Sequence, residues 1–213
     1  CTATQPSLSD LLRTYAPGHT VMELCPQTEE IYDRFRRVTF RQAGVLEDDA
    51  LTERLSNHRQ VLCVVNSRRA AQQIFDRLPK EGCFHLSTLM IPTQRQAILE
   101  EIRQRLKDGE PCRVVSTSLI EAGVDVDFPT VYRELAGLDS ILQAAGRCNR
   151  EGKRAADESI VTIFERTELP PLLFRTAVGA TRHALDGERD PAAQETMQRY
   201  FRELRTLSGE TLD

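Results

Sequence analysis

Short apolar segments alternate with segments of helical periodicity through the middle of the chain, and this alternation constrains the fold more than any other feature. Five segments have the length and composition of β-strands: Val61–Val65, Cys83–Leu86, Arg113–Val115, Val131–Leu135 and Ile160–Phe164. The first contains no polar residue, which is typical of a strand buried on both faces. Three segments between them have helical periodicity: Arg68–Leu78, a segment that begins at Pro92, and Asp139–Gly146. The alternation predicts an α/β domain with a mainly parallel sheet.

The regions on either side of this segment are less regular. Glu47–Asn57 has an acidic first turn and predicts a helix, while Val21–Leu24 and Arg37–Arg41 are candidates for short flanking strands. The chain after Pro170 becomes helical in pattern, and these helices are expected either to pack against the domain or to lead to another one. Three regions are therefore predicted: a flanking segment over 1–42, an α/β domain over 43–168 and a helical extension over 169–213.

Composition and charge exclude several classes of protein. The 213 residues have a net charge of −4, so affinity for nucleic acid through bulk positive charge, as in histones, is disfavoured. No run of about 18 apolar residues occurs, and the N-terminus has neither a basic start nor an apolar core, so we expect no membrane span and no signal peptide. The six cysteines form no CxxC pair, and we expect free thiols in a prokaryotic cytoplasm. The first residue is Cys1 and not Met, which suggests a fragment or a processed product.

Small polar residues follow three of the predicted strands. The residues are Asn66 and Ser67, Ser87 and Thr88, and Ser116 and Thr117. Parallel strands end at a common edge, where ligands bind in α/β sheets. Each of these side chains can cap a helix, and each can equally contact a phosphate group. A row of such positions suits an extended polyanion, such as a nucleic-acid strand, better than one small ligand.

Two further segments are expected at the same edge. In Glu121–Asp125, Gly123 allows a tight turn, and Asp125 can accept hydrogen bonds from a ribose or cap a local turn. In Gln143–Arg150, Arg147 and Arg150 would lie on one face if the segment were helical. Two such guanidinium groups either face solvent or share an anion.

Four segments carry a resemblance to a known family: VLCVVNSRRAA, FHLSTLM, RVVSTSLIEAGVDVDFP and LDSILQAAGRCNREGK. In this order they resemble motifs IV, IVa, V and VI of the second domain of superfamily 2 helicases. Their combination is most similar to the helicase part of the CRISPR-associated helicase–nuclease of type I systems. Gln143 stands where many families have the histidine that opens motif VI. The resemblance implies a RecA-like three-layer α/β/α fold with additional C-terminal helices.

The resemblance also implies roles for individual residues. Contacts to the backbone of a single strand are implied for Asn66, Ser67, Arg68, Ser87, Thr88, Ser116 and Thr117. Contacts to ATP are implied for Gly123, Asp125, Gln143, Arg147 and Arg150. The last two arginines would act as arginine fingers, which neutralise the charge that develops on a transferred phosphoryl group.

The parts of a complete motor that the sequence lacks are equally informative. Gly146–Lys153 has one residue too many between its glycines for a phosphate-binding loop, and it ends without a hydroxyl for Mg²⁺. Asp157 and Glu158 precede a predicted strand, whereas a metal-binding acid should follow one. No histidine is followed by the aspartate that the family's nuclease needs. We therefore expect no metal site here, with ATP and Mg²⁺ held mainly by an absent first lobe and the nuclease metal held by an absent nuclease domain.

The resemblance implies a lobe of an ATP-dependent single-stranded DNA translocase, inactive alone, from a CRISPR interference helicase–nuclease that unwinds and degrades invading DNA. It also implies an RNA-guided surveillance complex as a further partner. One alternative is a lobe of another superfamily 2 motor, acting in repair, restriction or RNA unwinding. A second is a stand-alone, non-catalytic binding module of RecA-like fold. A third, an unrelated enzyme with Cys148 as nucleophile, lacks a histidine nearby in the sequence.

Overall fold

Six parallel strands form one sheet in the computed structural model, which describes residues 34–120, 124–187 and 189–209 together with positions 12, 16, 18, 19 and 22. The strands are β1 (Thr39–Leu46), β2 (Gln60–Val64), β3 (Cys83–Leu86), β4 (Cys112–Ser116), β5 (Thr130–Glu134) and β6 (Ile160–Arg166). Their order across the sheet is β1-β6-β5-β2-β4-β3, and every neighbouring pair is parallel. The parallel sheet predicted from the alternating pattern is therefore confirmed.

Helices cover both faces of this sheet. They are α1 (Asp48–Ser56), α2 (Arg68–Arg77), α3 (Pro92–Lys107), α4 (Leu138–Ala145), α5 (Leu172–Ala184) and α6 (Gln194–Ser208), with a 3₁₀ turn at Ser118–Ile120. Helices α1 and α2 pack on one face through buried side chains that include Leu51, Leu55 and Ile74. Helices α3 and α4 pack on the other face, together with the segment that joins β4 to β5. The result is the expected three-layer α/β/α arrangement.

The C-terminal helices pack against the domain. Val178 of α5 and Tyr200 of α6 share a buried cluster with Ile141 of α4 and Ile163 of β6. Burial of these side chains removes apolar surface from water, so α5 and α6 extend the layer formed by α3 and α4. Of the two arrangements left open for the helical extension, the structure shows direct packing.

Strand β1 crosses the predicted boundary between residues 42 and 43. Thr39 to Leu46 pair with Ile160 to Arg166 of β6, with an irregularity between Gln42 and Val45. The sheet therefore begins before the predicted domain does, because β1 gains its order from a strand more than 100 residues away. The predicted strand Val21–Leu24 lies outside the described residues, except for Met22.

No helix in the described part of the chain combines the length and the apolar character needed to cross a membrane.

Candidate functional site

The polar residues that follow β2, β4 and β3 lie side by side at the carboxyl edge of the sheet. Ser116 of β4 pairs with Val64 of β2 on one side and with Leu86 of β3 on the other. The three strand ends therefore line up as the alternating pattern predicted. We call Asn66–Arg68, Ser87–Thr88 and Ser116–Thr117 the ledge.

Asn66 uses its polar atoms within the domain. Its side-chain Nδ2 donates to the carbonyl of Leu135 at 2.8 Å, and its Oδ1 accepts from Nη1 of Arg133 at 2.8 Å. Its backbone N–H donates to Oε2 of Glu134 at 2.7 Å. The amide group therefore ties the end of β2 to the end of β5.

Arg133 and Glu134 are two charged residues buried beneath the ledge. They are 2% and 6% exposed, and Nη1 of Arg133 also donates to the backbone carbonyl of Glu134 at 2.8 Å. Burial raises the pKa of Glu134, while the N–H of Asn66 and the charges of Arg133 and Arg166 oppose the rise. A buried charge is costly unless it is paired, so this cluster constrains the conformation of the turn above it.

Ser67 and Arg68 begin α2. The hydroxyl of Ser67 accepts from the backbone N–H of Ala70 at 3.0 Å, so it is the N-cap of the helix. Arg68 is exposed. Capping and anion binding are compatible at such a helix start, since further N–H groups of the first turn remain unpaired.

The ledge residues at the ends of β3 and β4 differ in how exposed their side chains are to solvent. Thr88 is exposed, whereas Ser87 is buried and its hydroxyl accepts from the backbone N–H of Leu89 at 3.3 Å. Ser116 is fully buried and donates to the carbonyl of Thr117 at 2.9 Å, and Thr117 is 8% exposed. Ser116 therefore shapes the ledge from inside and does not present its hydroxyl to solvent.

The two arginines of motif VI do not lie on a helix, so the condition for a shared helical face is not met. Helix α4 ends at Ala145, and Asn149 has a φ of +46°, a left-handed conformation that a helix cannot contain. The side chain of Asn149 accounts for the turn, because its Nδ2 donates to the carbonyls of Arg37 and Arg154, both at 2.8 Å.

The expectation that these arginines share the carboxyl edge is wrong. The backbone N–H of Phe128 donates to the carbonyl of Arg147, and Phe128 bridges to Cys148. Phe128 precedes β5, so the segment of Arg147 and Arg150 lies beside the amino end of that strand. Helix α4 begins near the carboxyl edge and carries the chain back across the sheet, which its eight residues are long enough to do.

Arg147 and Arg150 have different surroundings. Arg147 is 8% exposed, and its Nε donates to the carbonyl of Ile120 at 2.9 Å. The side chain of Arg150 is 43% exposed, and its Nε lies 2.6 Å from Oδ1 of Asp125. The backbone N–H of Arg150 donates to Asp127 at 2.7 Å. Arg150 is therefore the arginine that solvent and ligands can reach.

The remaining residues predicted to contact ATP are only partly described. Asp125 is exposed and pairs with Arg150, and its backbone carbonyl accepts from Nε of Arg103 at 3.0 Å. Gln143 is exposed on α4. Gly123 lies outside the described residues. The structure thus brings Asp125 together with Arg150 and places both away from the ledge.

An open cleft of about 600 Å³ adjoins Arg150 and Gly146. Apolar side chains such as Phe40 and Leu142 line it, with Arg36 and Arg37 among its polar groups. The end of α4 and the accessible arginine therefore border open space, in contrast to the filled interior around Arg147.

Cys148 does not have the environment of a nucleophile. It is 1% exposed, its thiol donates to the carbonyl of Pro129 at 3.4 Å, and burial raises its pKa to about 12. Cys63, Cys83 and Cys112 are also free thiols. No group of three or more His, Cys, Asp or Glu residues within the described ranges could hold a metal ion.

The sequence reasoning missed the buried pair Arg133 and Glu134 and the anchoring of Arg150 by Asp127. Two adjacent charges inside the apolar run VYRELAGL were a usable signal, since a strand buried on both faces seldom carries charge unless it is paired. Asp127 gave no comparable signal, because its contact depends on how two distant loops meet.

Comparison with known proteins finds a matching family and several similar proteins. Residues 57–153 match the family described as CRISPR-associated nuclease/helicase Cas3, C-terminal. A CRISPR-associated nuclease/helicase Cas3 of Haloferax volcanii is 42% identical over 78 residues, which cover 35% of this chain and 8% of that protein. Its counterpart in Methanothermobacter thermautotrophicus is 28% identical over 137 residues, which cover 62% of this chain and 16% of that protein. The chain therefore spans a small part of these relatives.

Solved structures share the fold. The crystal structure of T. fusca Cas3-ADP superposes with a TM-score of 0.62 at 18% identity, covering 83% of this chain and 25% of that one. A chain of a CRISPR RNA-guided surveillance complex, pre-nicking, superposes with a TM-score of 0.60 at 18% identity, covering 83% of this chain and 26% of that one. The chain therefore shares the RecA-like α/β fold of these structures, and residues 57–153 resemble a Cas3-like C-terminal domain.

Proposed function

We propose that this chain is the second RecA-like lobe of an ATP-dependent single-stranded DNA translocase that unwinds and degrades invading DNA in CRISPR interference. The observation that carries the proposal is the separation of two polar surfaces on one sheet. The ledge lies at the carboxyl edge of β2, β4 and β3, and Arg150 with Asp125 lies beside the amino end of β5. A motor needs two such sites, one for the strand and one for the nucleotide, joined by a rigid element.

On the ledge, direct contacts to phosphate are assigned to Arg68, Thr88, Thr117 and the N-terminus of α2 at Ser67. Arg68 and Thr88 are exposed, and a guanidinium group suits a phosphate in charge and shape. Asn66, Ser87 and Ser116 are assigned a supporting role without direct contact to phosphate, because their polar atoms form hydrogen bonds inside the domain. Contacts to phosphate carry no base information, so movement along the strand would not depend on sequence.

At the other site, Arg150 would exchange Asp125 for the γ-phosphate of ATP held by the first lobe. The exposed pair can open at little cost, since ion pairs in solvent contribute about 0–1 kcal/mol. Asp125 is then free to accept hydrogen bonds from the ribose, and Gln143 and Gly123 are proposed as further contacts to the nucleotide. The Nε of Arg147 donates to the carbonyl of Ile120, so a contact of Arg147 with the phosphate would come from its Nη groups.

An arginine finger accelerates phosphoryl transfer by about 10³–10⁵-fold. Attraction between Arg150 and the phosphate would also close the two lobes, which shifts the ledge along the strand. The described residues offer no cluster for Mg²⁺, so we assign that ion to the first lobe and the nuclease metal to a separate nuclease domain. Both domains and an RNA-guided surveillance complex are the proposed partners.

Strand-stimulated ATP hydrolysis by the complete motor tests this proposal. Arg150→Lys should lower the rate at least 10³-fold and leave single-strand affinity within about twofold, because lysine lacks the planar fork. Arg182→Lys is the matched control, since Arg182 is an exposed, ion-paired arginine on α5. The chain alone should not hydrolyse ATP. Normal hydrolysis by the Arg150→Lys motor, or robust hydrolysis by the chain alone, would contradict the proposal.

A further inference from the structure

We infer that Leu89 and Ile91 form an apolar contact for the bases of the strand whose phosphates lie on the ledge. This inference rests on the proposed function. The ledge is proposed to contact the phosphates of the strand, and these two side chains would contact its bases. Leu89 is 76% exposed and Ile91 is 59% exposed, in the short connection between β3 and α3. No other part of the ledge carries two large aliphatic side chains so open to solvent among the residues described.

The connection holds these two side chains outward. Met90, which lies between them, packs against the buried cluster beneath α3. The backbone N–H groups of Leu89 and Met90 are tied to Ser87, whose hydroxyl accepts at 3.3 Å and whose carbonyl accepts at 3.1 Å. At the other end, the carbonyl of Ile91 accepts from Arg95 as α3 begins. Leu89 and Ile91 are thus presented by a connection anchored at both ends, which lowers the entropy that binding must spend.

Their position relative to the ledge favours bases as the occupant. Leu89 follows Thr88, the exposed ledge residue of β3, and β3 is the last strand on this side of the sheet. If the phosphates of a nucleic-acid strand contact Arg68, Thr117 and Thr88, its bases can project past β3, the edge of the sheet. Aliphatic side chains offer an uncharged surface for the faces of bases, and Leu and Ile are among the apolar side chains that proteins insert between base steps of duplex DNA.

Aliphatic contact also fits the proposed motor. It has no hydrogen-bonding group that distinguishes one base from another, so it adds affinity without sequence preference. The leucines at the start of α5, Leu172 and Leu173, are as exposed but follow β6, four strand positions from β3. At about 4.8 Å per strand they lie roughly 19 Å away along the edge, which makes them a matched control.

Oligothymidylate and the same length of abasic strand test the inference in the full chain. Leu89→Ser with Ile91→Ser should weaken binding of oligothymidylate about tenfold and change binding of the abasic strand less than twofold. The dependence of affinity on salt should not change, because no phosphate contact is removed. Leu172→Ser with Leu173→Ser should alter neither affinity. In the complete motor, Leu89→Ser with Ile91→Ser should raise the oligothymidylate concentration that half-activates hydrolysis by the same factor.

Two results would overturn the inference. Equal weakening of both strands would mean that these side chains act on the backbone or on the fold, and unchanged affinity would mean that they contact no base. Failure of the unaltered chain and of the complete motor to bind any strand would instead remove the proposed function, and the inference with it. Unfolding curves of each variant separate loss of contact from loss of structure.

Discussion

The backbone N–H of Asn66 donates a 2.7 Å hydrogen bond to Oε2 of Glu134, which lies 68 residues later in the chain. This bond, with the contact from Arg133 to Oδ1 of Asn66, connects the turn after β2 to the end of β5. The start of α2, and with it Arg68, is therefore positioned by charges buried beneath the ledge. The same bonds explain why Asn66 is not available as a direct contact for a strand.

Removal of the Glu134 carboxylate should strongly destabilise the domain. Glu134→Ala removes the acceptor of the Asn66 N–H and a negative charge beside the buried Arg133, so we expect a loss of about 3–5 kcal/mol in the free energy of unfolding. Glu134→Gln keeps an acceptor for Asn66 and should lose less. Denaturant unfolding measures both, with Glu165→Ala, which breaks an exposed pair with Arg182, as the control at about 1 kcal/mol or less. Equal losses for Glu134→Ala and Glu165→Ala would contradict the role of the buried cluster.

The salt dependence of strand binding should identify Arg68 as a phosphate contact. Arg68→Ala removes one exposed positive charge from the ledge, so the slope of log K against log salt should fall in magnitude by about 0.7, the value for one phosphate of a single strand. Fluorescence anisotropy at several salt concentrations gives this slope. Arg59→Ala removes an exposed positive charge just before β2, at the opposite edge of the sheet from the ledge, and should leave the slope unchanged. An unchanged slope for Arg68→Ala would show that Arg68 meets no phosphate.

A methyl group at Gly146 should impair hydrolysis without unfolding the domain. Gly146 has a φ of −64°, and an added Cβ would lie 3.3 Å from the carbonyl of Gln143, so alanine fits with a small adjustment. If a phosphate approaches Gly146 closely, Gly146→Ala should lower strand-stimulated hydrolysis at least tenfold while the free energy of unfolding changes by about 1 kcal/mol or less. Gly179→Ala within α5 is the control and should retain full hydrolysis. Full activity of Gly146→Ala would show that no phosphate of the nucleotide approaches Gly146 closely.

Stability should decrease as the solution becomes mildly acidic. Burial lowers the pKa of His58, assisted by the charge of Arg113, and burial lowers the pKa of His85 against the opposing charge of Asp76. The folded state therefore binds fewer protons than the unfolded state below the ordinary pKa of 6.5, so stability is complete above that pH and is lost as the pH falls through the folded pKa values.

Denaturant unfolding at pH 7.5, 6.5 and 5.5 measures this loss. His58→Asn with His85→Asn should flatten the dependence over this range, whereas His183→Asn, at an exposed position on α5, should preserve it. A dependence that is as steep in the double variant as in the unaltered chain would assign the loss to other groups.

Much of the architecture was predictable because its signals are local. A strand buried on both faces must be short and apolar, and Val61–Val65 met that condition within one residue of β2. Helix starts were equally clear, since Ser67 can cap α2 and Pro92 suits the first turn of α3. Strand β1 was predicted only as far as Arg41, because the order of Gln42 and the residues after it depends on pairing with β6 and not on an apolar pattern.

By itself the sequence determined the parallel α/β architecture and the row of small polar residues after three strands, since both follow from periodicity and chain order. Only the tertiary structure decided which of those residues face solvent, burying Ser116 and engaging Asn66 while leaving Arg68 and Thr88 exposed. The tertiary structure also decided that Arg147 and Arg150 lie beside the amino end of β5. Their position depends on the left-handed turn at Asn149 and on contacts with Phe128 and Asp127, which are made between residues distant in sequence. Burial and pairing of polar groups are properties of the packed sheet, and no local pattern contains them.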